Sequence, residues 1–231
     1  MQHIGSDSSV WKKTPRAQRL SAMKKAASFQ SFIDRTRDVP AVIDQITQWN
    51  ADKSHLLSGR LDLTKLGIGG HSFGAVTSQA VSGQKYGGIG QKFTHKRIKA
   101  ALMLSPSSAK GDRNEEAFGH IQMPWMLMTG TKDTSAIKPD IKAEDRVKVY
   151  QALPATGNKY QLVLKDAQHM AFSDRTILGT RHRKKNHHKA IIALSTAFWD
   201  THLKGDVNAK VWLESDAPNK RLEAGDTWEW K

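Results

Sequence analysis

Three short stretches of this sequence carry residue types that can move protons and make bonds. The first is Gly70-His71-Ser72-Phe73-Gly74, a serine with a glycine two positions to either side. Leu66-Gly67-Ile68-Gly69 leads into it and Ala75-Val76-Thr77-Ser78-Gln79-Ala80 follows. An apolar run thus passes through the serine into a small-residue helical stretch, the strand–turn–helix setting of a nucleophile elbow. On so sharp a turn the serine backbone is strained, and side chains two positions away would collide. Glycine at both places removes the collision and leaves the Ser72 hydroxyl exposed at a helix N-terminus. The Phe73 amide is then placed to donate to an oxyanion.

The second stretch is Thr129-Gly130-Thr131-Lys132-Asp133-Thr134, just beyond an apolar run ending Leu127-Met128. A carboxylate held past a strand end can accept the Nδ1 proton of an imidazole and stabilise the imidazolium. Asp133 is the first candidate for that work, although an Asx-type turn would use the same residue. Asp112 is the named alternative acid, in a preceding loop that also holds Glu115 and Glu116. The third stretch, Asp166-Ala167-Gln168-His169-Met170, puts His169 five residues beyond Leu164. A histidine there can act as general base toward Ser72 and return the proton to a leaving alcohol. Of ten histidines it alone follows the last predicted strand in the order Ser, Asp, His.

Other candidates carry less. His71 is expected to pack beside the turn. Ser105, Ser107 and Ser108 lack an elbow and read as ordinary strand-end residues. His182, His187 and His188 lie in Arg181–Lys189 among five cations with no adjoining carboxylate, a composition that repels a divalent metal. A solvated basic loop is the expectation there, with polyanion binding as the functional alternative.

These groups need a scaffold that ends several strands side by side. Short apolar runs supply it: Lys65–Gly69, Ile98–Ser105, Met123–Thr129 and Tyr160–Leu164 read as strands. They alternate with helical patterns over Phe73–Ser82, Ala143–Leu153 and His188–Leu203. Alternation of this kind predicts an α/β fold, a mostly parallel sheet with helices on both faces. Functional groups of such sheets gather outside the carboxyl ends of the strands. Upstream, Thr14-Pro15 predicts the start of a helix through Arg35, and Asp38-Val39-Pro40 the start of a second. Residues 50–59 read as a loop.

Composition sets the outer bounds. At 231 residues one domain spanning 1–231 suffices. No apolar run approaches the roughly 20 residues needed to cross a bilayer, and the first residues lack the pattern of a signal peptide. With no cysteine, disulfides and thiolate metal sites are excluded and the compartment is left open. A formal charge of +14 favours anionic surroundings or partners.

Together the three stretches resemble the α/β-hydrolase superfamily. Within it the chain is most similar to the bacterial dienelactone-hydrolase-like group related to platelet-activating-factor acetylhydrolases. The opening Gln2–Trp11 looks like the segment after the fourth strand there, and Ala197–Asp200 with Leu203–Asp206 looks like the last helix and tail. The resemblance implies a serine esterase acting on small-molecule esters, with Ser72, Asp133 and His169 as triad and Phe73 as one oxyanion donor. It implies no metal, no cofactor and no obligatory nucleic acid. Dienelactone hydrolases proper usually carry cysteine as nucleophile; serine here points to ester or acetyl-ester substrates. The second oxyanion donor of the superfamily comes from a His-Gly loop after the third strand, and nothing in this chain matches it. The expectation is an N-terminally incomplete member, with an unpaired sheet edge open to strand addition from a second copy. A basic module binding an anionic partner, or a peptidase on the same triad, are the contrasting readings.

Overall fold

The computed structural model describes residues 1–5, 7–12, 14–135, 137–138, 140–173 and 184–231. The chain divides into two compact units, residues 1–64 with 136–140, and residues 65–135 with 141–231.

The first unit is helical. A short α1 (Ser9–Lys12) and a 3₁₀ turn precede α2 (Arg19–Ala26) and the long α3 (Phe29–Ala51). Ser28 starts α3 as N-cap, its hydroxyl accepting from the Ser31 amide at 3.0 Å. The sequence predicts a helix boundary at Asp38–Pro40, but α3 runs through with Pro40 in its interior. A proline there costs about 3 kcal/mol in lost hydrogen bonding and ring contact. The apolar stripe explains the continuity: Phe32, Val39 and Ile43 are buried at i, i+7 and i+11, on one face across the proline. His3 is tied to the same helix, its Nδ1 2.7 Å from Asp38 Oδ2. Beyond Ala51 the expected loop is present, stitched by Asn50 to the main chain of Leu61 at 3.0 and 3.2 Å.

The second unit is a five-stranded sheet among the described residues. Its elements run β1 (Leu66–His71), α4 (Phe73–Val81), β2 (Ile98–Leu104), α5 (Asn114–Phe118), β3 (Trp125–Lys132) and α6 (Ala143–Gln151). They continue with β4 (Lys159–Gln168), α7 (Lys185–Trp199), α8 (Val207–Leu213) and β5 (Thr227–Trp230). The strand order is β1-β2-β3-β4-β5. The first four are parallel, and β5 closes antiparallel on β4 with Tyr160 opposite Trp230. A mostly parallel α/β sheet is thus what the alternating pattern produces; β5, only four residues long, was not anticipated.

Side chains alternate across the pleat, which makes two cores. Ala101, Met103, Trp125 and Leu127 pack with Ala75 of α4, Phe118 of α5 and Val149 and Tyr150 of α6. Ala100, Leu102, Met126, Met128, Leu162 and Leu164 pack with Ala190, Leu194 and Phe198 of α7 and Leu213 of α8. Consecutive parallel neighbours place their crossover helices on one face, and the chain then returns over the other face through α7 and α8. A Cβ at Gly67 would strike Trp199 and Leu203, so the glycines of β1 admit the end of α7. That helix runs on into a π turn over Asp200–Lys204, close to the predicted end at Leu203.

Candidate active site

Ser72 joins β1 to α4 with φ 59° and ψ −115°, a left-handed conformation that costs a non-glycine residue roughly 1–3 kcal/mol. Hydrogen bonds on either side hold it: its amide donates to Leu104 O at 3.0 Å, and its carbonyl accepts from Val76 at 3.1 Å. A Cβ at Gly70 would run into the Gly74 backbone, the collision that the sequence pattern predicts. Phe73 opens α4, so its amide belongs to that helix N-terminus.

Asp133 directly follows β3 and is fully buried. Its Oδ2 accepts from Thr129 Oγ1 at 2.9 Å, and its Oδ1 lies 2.7 Å from His169 Nδ1 and 3.0 Å from Arg146 Nε. Burial by itself would raise the carboxyl pKa. The His169 hydrogen bond and the Arg146 charge outweigh it, and the group sits below the ordinary carboxylate range.

His169 begins a 3₁₀ turn immediately after β4. The sequence places the strand end at Leu164; the strand continues to Gln168 because it bulges. Gly130 faces Leu164 and Lys132 faces Gln168, so two steps along β3 correspond to four along β4. Asp166 turns this corner at φ 60°, its amide donating to Thr131 Oγ1 at 2.8 Å and its carboxylate 2.7 Å from Lys132. Gly130 permits the close approach, since a Cβ there would meet the Ala167 main chain. The bulge delivers His169 beside Asp133. Its Nε2 stands 2.8 Å from Ser72 Oγ, and 19% of its side chain remains exposed. With an ionised Asp133 on Nδ1, the imidazole carries its proton there, and Nε2 is free to accept from the serine hydroxyl.

The three residues singled out in sequence therefore come together in one hydrogen-bonded series. The alternative acid does not join them. Asp112 is exposed and 3.2 Å from Lys148 Nζ, and Glu115 and Glu116 are exposed on α5. His71 packs as anticipated, its Nε2–H donating to the His169 carbonyl at 2.9 Å, with the two rings 4.7 Å apart. Burial and the neighbouring His169 lower its pKa to about 4, so it is neutral near pH 7.

Two residues depart from the sequence reading. Ser105 is no ordinary strand-end residue: it is fully buried at φ 60°. Its hydroxyl, outside hydrogen-bond geometry, lies close enough to Asp133 to favour the charged carboxylate. Arg146 was missed. It is buried on α6 and reaches Asp133, Ser105, Pro106 and His169. The signal was its spacing, since Arg146, Val149, Tyr150 and Leu153 (i, i+3, i+4, i+7) share the buried face.

Of the basic segment, residues 181–183, including His182, lie outside the described residues. His187 is buried, with Nε2 3.1 Å from Lys165 O, and so is not part of a solvated loop. Among the described residues no group of three or more His, Cys, Asp or Glu side chains is arranged to hold a metal ion, and no helix is long and apolar enough to cross a membrane. No family model matches the chain, and no curated protein matches it at a significant level.

Proposed function

We propose that this chain is a serine hydrolase of the α/β-hydrolase type that cleaves carboxylic esters through an acyl-enzyme on Ser72. The observation that carries the reading is the unbroken series Ser72 Oγ, His169 Nε2, His169 Nδ1, Asp133 Oδ1, with contacts of 2.8 and 2.7 Å. In that series Nε2 takes the hydroxyl proton as Oγ attacks the ester carbonyl, and the Asp133 carboxylate stabilises the resulting imidazolium. The Phe73 amide, at the start of α4, is the donor assigned to the developing oxyanion. Collapse of the tetrahedral species breaks the bond to the alkoxy oxygen, which leaves as the alcohol with the Nε2 proton. Water, deprotonated by the same nitrogen, then releases the acid and restores Ser72.

The membership of the dienelactone-hydrolase-like group belongs to the same proposal.

A fluorophosphonate probe separates it from the contrasting one, a basic module that binds an anionic partner without chemistry. Covalent modification on Ser72, abolished in His169→Ala, together with hydrolysis of p-nitrophenyl acetate, is the expected result. A folded chain that stays unlabelled sinks the hydrolase reading.

A further inference from the structure

Arg146 is a large buried cation that the proton relay itself does not use. Its side chain is 2% exposed, and leaving water costs a guanidinium several kcal/mol unless its donors are matched. Burial lowers its pKa and Asp133 acts against that shift; a guanidinium stays protonated regardless. Its Nε and Nη1 donors are spent on the ends of two strands. Nε donates to Asp133 O at 2.7 Å and is 3.0 Å from Oδ1 of the same residue. Nη1 donates to Ser105 O at 3.0 Å and Pro106 O at 2.8 Å, just beyond β2. Nη2 lies 3.4 Å from His169 Nδ1, a contact without a hydrogen bond, because that nitrogen carries its proton toward Asp133.

We propose that Arg146 is a positioning residue of this site, which fixes the Asp133 carboxylate in the orientation that aligns His169 with Ser72. The proposal rests on the hydrolase reading for its effect on rate, but not for its geometry. By gripping both the main-chain oxygen and the carboxylate of Asp133, one planar group removes the rotation left to that side chain. Thr129 on Oδ2 completes the restraint. Arg146 acts through geometry: Nη1 anchors the guanidinium on Ser105 O and Pro106 O, and the single Nε–H is thereby held between the main-chain oxygen and Oδ1 of Asp133. Lysine keeps the charge and loses the fork of donors.

The test compares Arg146→Lys with the unaltered chain, and Arg146→Gln serves if the lysine variant fails to fold by circular dichroism. Misplacement of about 1 Å can cost roughly 10²-fold in rate. The variant should lose about that factor in kcat on p-nitrophenyl acetate, with KM within about twofold. Added to Asp133→Asn, the same substitution should cost less than about twofold, because it acts through the carboxylate. A downfield proton resonance of His169 Nδ1–H is expected by NMR in the unaltered chain, and it should move or vanish in Arg146→Lys. Unchanged kcat, or an undiminished loss in the Asp133→Asn background, overturns the proposal. An unmoved resonance overturns it whether or not the chain hydrolyses esters. A chain that never labels with fluorophosphonate yet shows the resonance shift refutes the hydrolase reading and leaves the positioning role standing.

Discussion

Strand β4 begins with one buried charge and is followed by another kind of site altogether. At its amino end Lys159 is fully buried, and among the described residues its ammonium donates to main-chain oxygens alone, Gly157 at 3.0 Å and Gln122 at 3.3 Å. Burial, with Lys231 nearby, brings its pKa down to about 8. At the carboxyl ends of β1 to β4, Asp133, Arg146, His169 and Ser72 instead satisfy one another. Backbone strain divides in the same way. Ser72, Ser105 and Asp166 take positive φ around the carboxyl ends, whereas beside Lys159 the positive-φ residues are Gly157 and Asn158, types that tolerate it. A lone charge in a parallel sheet is accommodated by carbonyls and by a lowered pKa. A set of groups held at fixed separations demands strained turns, a bulge and a second charge.

Breaking the paired end should have the largest effect. Asp133→Asn removes the acceptor that orients His169 and is expected to lower kcat about 10⁴-fold. It also leaves Arg146 without its counter-charge, at a cost of about 3 kcal/mol by urea unfolding. Turnover within tenfold of the unaltered chain would show that the carboxylate does not serve the imidazole.

Acid should expose a second feature of that end. The unfolded chain protonates His71 near 6.5, whereas the folded chain resists until about 4. The unfolded state thus binds more protons between these values, and stability falls as pH drops from 6.5 to 4. The shift corresponds to roughly 3 kcal/mol. Replacing His71 by Gln should flatten this part of the stability profile, and an unchanged slope would assign the acid loss to other groups.

The smallest effect on turnover is expected at the amino end. Lys159 has a folded pKa of about 8 against 10.5 unfolded, so stability rises as pH climbs from 8 to 10.5. Lys159→Met should abolish that rise, which for a shift of this size is roughly 3 kcal/mol. At pH 7 it should leave hydrolysis untouched. A large loss of activity would mean that the two ends of β4 are coupled.

Much of the site could be read from spacing. Gly70 and Gly74 around Ser72 announce a turn that only a strained serine between small residues can make, and Gly70 meets Gly74 as required. Asp133 was legible because an apolar run ends just before it. His169 was legible by order, but its place was not: a strand end at Leu164 leaves the imidazole in a loop of unknown course. The bulge at Asp166 comes from Gly130 meeting Ala167 across the sheet, a contact between residues 37 apart in the chain. In α3 the stripe Phe32, Val39 and Ile43 outweighed Pro40, because burial along the whole helix offsets one lost hydrogen bond.

The periodicities that make a parallel α/β sheet and the local chemistry of one tight turn are written in the order of the residues. Both are properties of neighbouring residues, fixed by sterics and by which face of an element is apolar. Which acid meets His169, that Ser105 lies against the carboxylate, and that Arg146 ties the ends of β2 and β3 together emerge only on folding. Such choices depend on register and burial, where a buried charge must find its partner across the sheet, and no local pattern records who that partner is.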